Sequence, residues 1–159
     1  MQPKIKITGQ KELFRALAKF GEEAEHRIDQ ITKSAATRIA DEAKNLAPRG
    51  METNKDGNAT INIAQLINVE HTDHLFYSVK VQAKDEPGSP PIAAYLEFGT
   101  GAYFDKSHEW KDIASEFFVN GKGYMPAHPF LYPAYNRGKI IYEANLKALL
   151  ENLTKKHSK

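Results

Sequence analysis

Three places in this chain carry residue types that do chemistry. The first is His71-Thr72-Asp73-His74, two imidazoles and a carboxylate within four residues. Such side chains are zinc-ligand types, and a metal-dependent hydrolase would use His71, Asp73 and His74 to hold an ion that activates water. A zinc site needs a further ligand, and His108 with Glu109 is the other pair of suitable type. Spacing alone does not bring that pair near, and the competing reading is a polar loop ahead of a strand starting near Leu75. The second place is Glu97, set in "AAYLEFGTG" between Leu96 and Phe98. A lone carboxylate among apolar neighbours can serve as a general acid, but no second acid or base stands at motif spacing from it. More often such a group pairs with a cation or accepts backbone N–H groups. The third is Gly121-Lys122-Gly123, which lacks the four-residue spacer, the following Ser or Thr and the helix of a phosphate loop. No nucleophile elbow or dinucleotide fingerprint occurs. The absence of cysteine removes thiolate ligands and thiol nucleophiles. No cofactor is expected.

Positioning these groups falls to a few elements. From Gln10 to Asn45, Leu13, Leu17, Phe20, Ala24, Ile28 and Ile31 begin a three-and-four spacing that continues to Leu46. That pattern predicts one long helix, with Gly21 offering a break and Ala47-Pro48 a stop. Residues 48–60, "PRGMETNKDGNAT", form a polar, glycine-bearing segment expected to be a mobile loop. "INIAQLINVE" fits either a strand or a short helix followed by a strand. "FYSVKVQA" alternates at the strand period. "IAAYLEF" is too short to decide between strand and helix turn. "SEFFVNGKGYM" predicts an aromatic β-hairpin turning at Asn120-Gly121. "MPAHPFLYPAY" is a rigid proline-rich connector, and Pro133 suits the first turn of a last helix reaching about Leu153.

The order of helix, strands and helix argues for an α+β fold, a long N-terminal helix and a C-terminal helix packed on a small antiparallel sheet with the aromatic hairpin. A length of 159 residues fits a single domain, 1–159, with terminal arms at 1–9 and 154–159. The opening "MQPKIKITGQ" shows no apolar signal-peptide core, and no apolar run approaches a membrane span. The net charge of +2 is too small to indicate a nucleic-acid binder. Lys4, Lys6, Lys155, Lys156 and Lys159 would be the residues of such a module.

Three motifs in order carry a resemblance to a known family. "NLAPRG" closes the first helix, "YLEFGTG" follows the strands and "MPAHPFLYPAY" introduces the last helix. The chain resembles the tail-completion, or head–tail joining, proteins of long-tailed double-stranded DNA bacteriophages, often called minor tail proteins. In that family's pattern an Ala-Pro falls on Ala47-Pro48, a Glu-Phe-Gly-Thr on Glu97 to Thr100, and a Pro-Phe-Leu-x-Pro-Ala on Pro129 to Ala134. The chain departs from it at Asn68, where a Ser is the usual residue.

The resemblance implies a non-enzymatic virion protein of the neck or tail, assembled in the host bacterial cytoplasm. It implies a homo-oligomer, a hexameric ring, around a lumen through which genomic DNA passes without sequence-specific binding. Its neighbours would be the connector or head-closure protein and the tail-terminator or tail-tube proteins, with no membrane involved. A tail terminator or another neck ring protein is the nearest alternative. The residues assigned to the structural and subunit-interaction motif are Glu97, Phe98, Gly99, Thr100, Gly101, Pro129, Phe130, Leu131 and Pro133. Glu97 is expected to accept N–H groups and fix the turn from Phe98 to Gly101. Phe130 and Leu131 are expected to plug a pocket in the domain or in the next subunit.

Overall fold

A computed structural model describes residues 4–6, 21–48, 62–82, 92–101, 110, 112, 115 and 125–157. Helix α1, Glu22–Leu46, follows Gly21, whose φ of 73° and ψ of −166° suit a residue without Cβ. The apolar spacing places Ala24, Ile28, Ala35, Ile39 and Ala43 on one buried face. The helix stops at Ala47, whose extended φ of −59° and ψ of 133° are what the following Pro48 favours. The single helix expected from Gln10 is thus described from Glu22, and residues 7–20 lie outside the described set.

Asn62 opens α2, Ile63–Leu66, by accepting the Ala64 N–H at 3.1 Å. This one-turn helix feeds directly into β2, Ile67–Asp73, which pairs with β3, Phe76–Val81. A third strand, β1, Lys4–Lys6, pairs with the other side of β3, so the sheet order is β1-β3-β2 with both pairings antiparallel. The register sets Ile67 opposite Val81 and Val69 opposite Val79, with Ile67, Val79 and Val81 buried. Asn68 faces Lys80 across the strands, and on the same side of the sheet Glu70 forms an ion pair with Lys80. The hairpin tip holds Leu75 at φ 60°, a conformation that costs a residue with a Cβ. Burial offsets that cost, because Leu75 is fully enclosed with Ala24, Ile28, Leu149 and Leu153.

Helix α3, Ile92–Phe98, and the long helix α4, Leu131–His157, complete the described elements. α4 packs along α1. At the crossing, Gly138 sits so close to Ile39 that an added Cβ would lie 2.2 Å from its Cγ1. Alanines 36, 40, 43 and 134 keep the two backbones near each other and join the main core with Ile39, Val79, Leu96 and Phe130. Arg137 and Glu42 form an ion pair between the two helices.

The molecule is α+β, with long helices packed on a small antiparallel sheet. Two boundaries differ from the sequence reading. The segment 1–9, read as an arm, contains β1, and α4 runs through the supposed tail 154–159 as far as His157. Lys-Ile-Lys is too short to show a period, and a helix whose last turns carry Leu149 and Leu153 into a cluster does not stop at its last apolar residue. Most of the aromatic hairpin around Asn120-Gly121, and residues 49–60 of the expected mobile loop, lie outside the described residues. No described helix is long and apolar enough to cross a membrane.

Candidate functional site

The central feature is built from the two motifs around Glu97 and Phe130. In α3 the residues Ala93, Ala94, Leu96, Glu97 and Phe98 are all buried, so this short helix is enclosed on most sides. Glu97 is 2% exposed. Its carboxylate accepts the N–H groups of Phe130 at 2.9 Å and Leu131 at 2.9 Å on Oε2, and of Tyr132 at 2.8 Å on Oε1.

Those distances settle where the orphan donors of α4 go. A helix leaves its first four N–H groups without intrahelical partners. For a helix beginning at Leu131 these belong to Phe130, Leu131, Tyr132 and residue 133. Glu97 takes three, and the fourth does not exist because residue 133 is proline. One side chain from another element completes the account. The negative charge also sits at the positive end of the α4 dipole, in a low-dielectric interior where the attraction is strong.

Further bonds hold the same two segments side by side. The His128 N–H donates to Leu96 O at 2.6 Å, and Thr100 N–H to Met125 O at 2.9 Å. Met125 N–H returns to Thr100 Oγ1 at 3.0 Å. Gly99 ends α3 by donating to Tyr95 O at 2.8 Å, with φ of 73°, and Gly101 follows at 57°. Positive φ just past a helix end is the ordinary place for glycine. Phe98 and Phe130 are buried, and Trp110 stands edge-on to Tyr132, ring centroids 4.9 Å apart.

The structure therefore brings Glu97, Thr100, Phe130 and Leu131 together. The described bonds of Glu97 run to the start of α4 rather than into the turn that follows it. Phe130 and Leu131 fill the core of their own chain. Pro129 is exposed, and Pro133 is half-buried in the first turn of α4. Sequence reasoning missed the partner of Glu97, although a signal was present. A helix that starts at Phe130-Leu131-Tyr132-Pro133 has no Ser, Thr, Asp or Asn to cap it, so an acceptor must come from elsewhere.

The histidine cluster takes a different form. His74 Nε2 pairs with Glu25 on α1, whereas His71 stacks on Tyr77 with centroids 4.7 Å apart. Asp73 Oδ1 accepts the N–H of His74 at 2.7 Å. Tyr77 O–H donates to Asp29 Oδ1 at 2.9 Å. Burial raises the Tyr77 pKa above its ordinary value, and the hydrogen bond to Asp29 and its charge push the same way. Among the described residues no group of three histidine, aspartate or glutamate side chains is placed to hold a metal ion. His108, Glu109 and the 121–123 segment lie outside the described residues.

Known proteins supply the remaining observation. The family model described as "Bacteriophage HK97-gp10, putative tail-component" matches residues 11–99, more than half of the chain. The chain belongs to this phage tail-component family. No curated protein and no solved structure matches it. The match runs through α1, the β2–β3 hairpin and α3 as far as Gly99, so it includes Glu97 and stops before the residues that Glu97 holds. A tail component is part of the virion, and the family is a structural one rather than a known enzyme family.

Proposed function

We propose that this tail component forms a ring at the head–tail junction and completes or joins the tail. The observation that carries the reading is membership of the HK97-gp10-like family. The three ordered motifs at Ala47-Pro48, Glu97–Thr100 and Pro129–Ala134 support the narrower assignment to the junction. Six copies surround the DNA channel, with the connector or head-closure protein on one side and tail-terminator or tail-tube proteins on the other. Each subunit meets the next through two different faces, as closure of a ring by a heterologous contact requires. The geometry at Glu97 suits a rigid structural subunit, because it fixes two distant segments of one chain to each other. The near balance of 22 basic and 20 acidic residues suits a wall past which DNA must slide.

Gold-labelled antibody against the full chain, applied to purified virions under the electron microscope, tests the assignment. Label at the neck is expected. Label distributed along the tail shaft, or absent from particles, overturns it. Label on tails that have never met heads points instead to a tail terminator.

A further inference from the structure

The hydrogen-bond parity of the sheet decides which backbone groups face outward at its two edges. Gln82 N–H donates to Leu66 O at 2.8 Å, which makes 66 and 82 a hydrogen-bonded pair of the β2–β3 ladder. In an antiparallel ladder such pairs alternate with pairs that do not bond. Asn68–Lys80 and Glu70–Ser78 are therefore bonded, and the N–H and C=O groups of Val69 and His71 point away from β3. Residues 78 and 80 of β3 are thereby committed to β2, which leaves Val79 to bond Ile5 across the other edge. The N–H and C=O groups of Lys4 and Lys6 then point outward from β1. Among the described residues no backbone partner reaches Val69 or His71, or Lys4 or Lys6, on these outer sides.

The sheet so ends in two complementary rows. Among the described residues, each offers two residues, spaced by two, whose outward donor and acceptor meet no backbone partner. β1 and β2 both run antiparallel to β3, so they run parallel to each other. A second copy in the same orientation can lay its β1 beside β2 as a parallel strand, with Lys4 and Lys6 bonding on either side of Val69 or His71. Two registers are open to that neighbour. They set Ile5 of the second copy level with Val69 or His71, and bring Lys6 or Lys4 level with Glu70.

We infer that β2 of one subunit pairs in parallel with β1 of the next, so that the three-stranded sheets join into one continuous sheet around the assembly. This rests on the proposed ring and names the contact that builds it. The contact is heterologous, joining one edge to a different edge, so it propagates from copy to copy and never pairs off. It also removes both open edges, which an isolated sheet would otherwise have to shield.

The chain has no cysteine, so a disulfide can report the contact without background. Lys6 and Glu70 are both level with Ser78, on opposite sides of β3. Within one chain they lie about 10 Å apart, two strand spacings, too far for a disulfide. The double variants Glu70→Cys with Lys6→Cys, and Glu70→Cys with Lys4→Cys, cover the two registers. Oxidation of the purified full chain, read on a non-reducing gel, is expected to give a ladder of dimers, trimers and larger species from one of them. Each single variant is expected to give no species beyond a dimer. Monomers alone from both double variants, or no more than the single variants give, overturn the edge pairing. Neck labelling of virions would stand unaffected by that result, so failure of this contact and failure of the junction assignment are separable.

Discussion

Glu97 turns a carboxylate into a part of the backbone scaffold. Replacing it with alanine leaves three N–H groups at the α4 start without acceptors and is expected to cost on the order of 3–5 kcal/mol. Glu97→Gln keeps one carbonyl oxygen but turns an amide N–H₂ toward N–H donors and removes the charge that complements the helix dipole. Its expected cost is smaller, about 1–3 kcal/mol. Urea titration followed by far-ultraviolet circular dichroism measures both, and an unchanged midpoint for alanine would show that α4 begins without this support. Tyr77 gives a pH signature. Its pKa is raised in the folded chain, so the folded state holds the phenolic proton more tightly than the unfolded state. The stabilisation is complete below the ordinary value near 10 and is lost as pH climbs through the folded value. The urea midpoint should therefore fall above about pH 10, and Tyr77→Phe should flatten part of that fall. A parallel decline in both proteins would contradict the assignment.

Among the elements, the α1–α4 contact depends on a missing side chain. Alanine favours a helix interior over glycine by about 1 kcal/mol, so Gly138→Ala would stabilise an isolated helix. Here the new Cβ would land 2.2 Å from Ile39 Cγ1, and the steric conflict outweighs that gain. The expected net cost is about 1–3 kcal/mol. Adding Ile39→Ala should recover part of it, giving a double variant less destabilised than the sum of the two. Strict additivity in thermal melts would place the conflict elsewhere. This closeness was not legible beforehand, because a glycine inside a helical pattern gives no sign of what crosses it. The long helices were legible, since their apolar steps repeat over many turns, as was β3 with its clean alternation. β2 was ambiguous because Ile63, Leu66 and Ile67 serve a helix turn and a strand in succession. β1 escaped notice because three residues cannot establish a period. The site was half legible. The apolar flanks of Glu97 left a general acid and an acceptor of N–H groups both open, and only the family resemblance implied a structural group. Its partners lie 33 to 35 residues away and nothing local announces them.

For the whole molecule, the charge balance bears on whether the proposed ring would hold DNA or let it past. A protein that binds duplex DNA tightly neutralises many phosphates and releases their counterions, so its affinity falls steeply with salt. With 22 basic against 20 acidic residues, this chain is expected to give no band shift with duplex DNA at about 0.15 M salt. A retained complex with a steep salt slope would argue for a DNA-holding module instead of a passage.

The last helix is fastened near both ends. Glu97 grips its first residues, while the strained Leu75 lodges against Leu149 and Leu153 close to its other end. A rod anchored in this way has little freedom to swing or fray by itself. Tension applied to it, as the proposed place at the junction would entail, would pass straight into the strand hairpin and the first helix, and the subunit would answer as a stiff block.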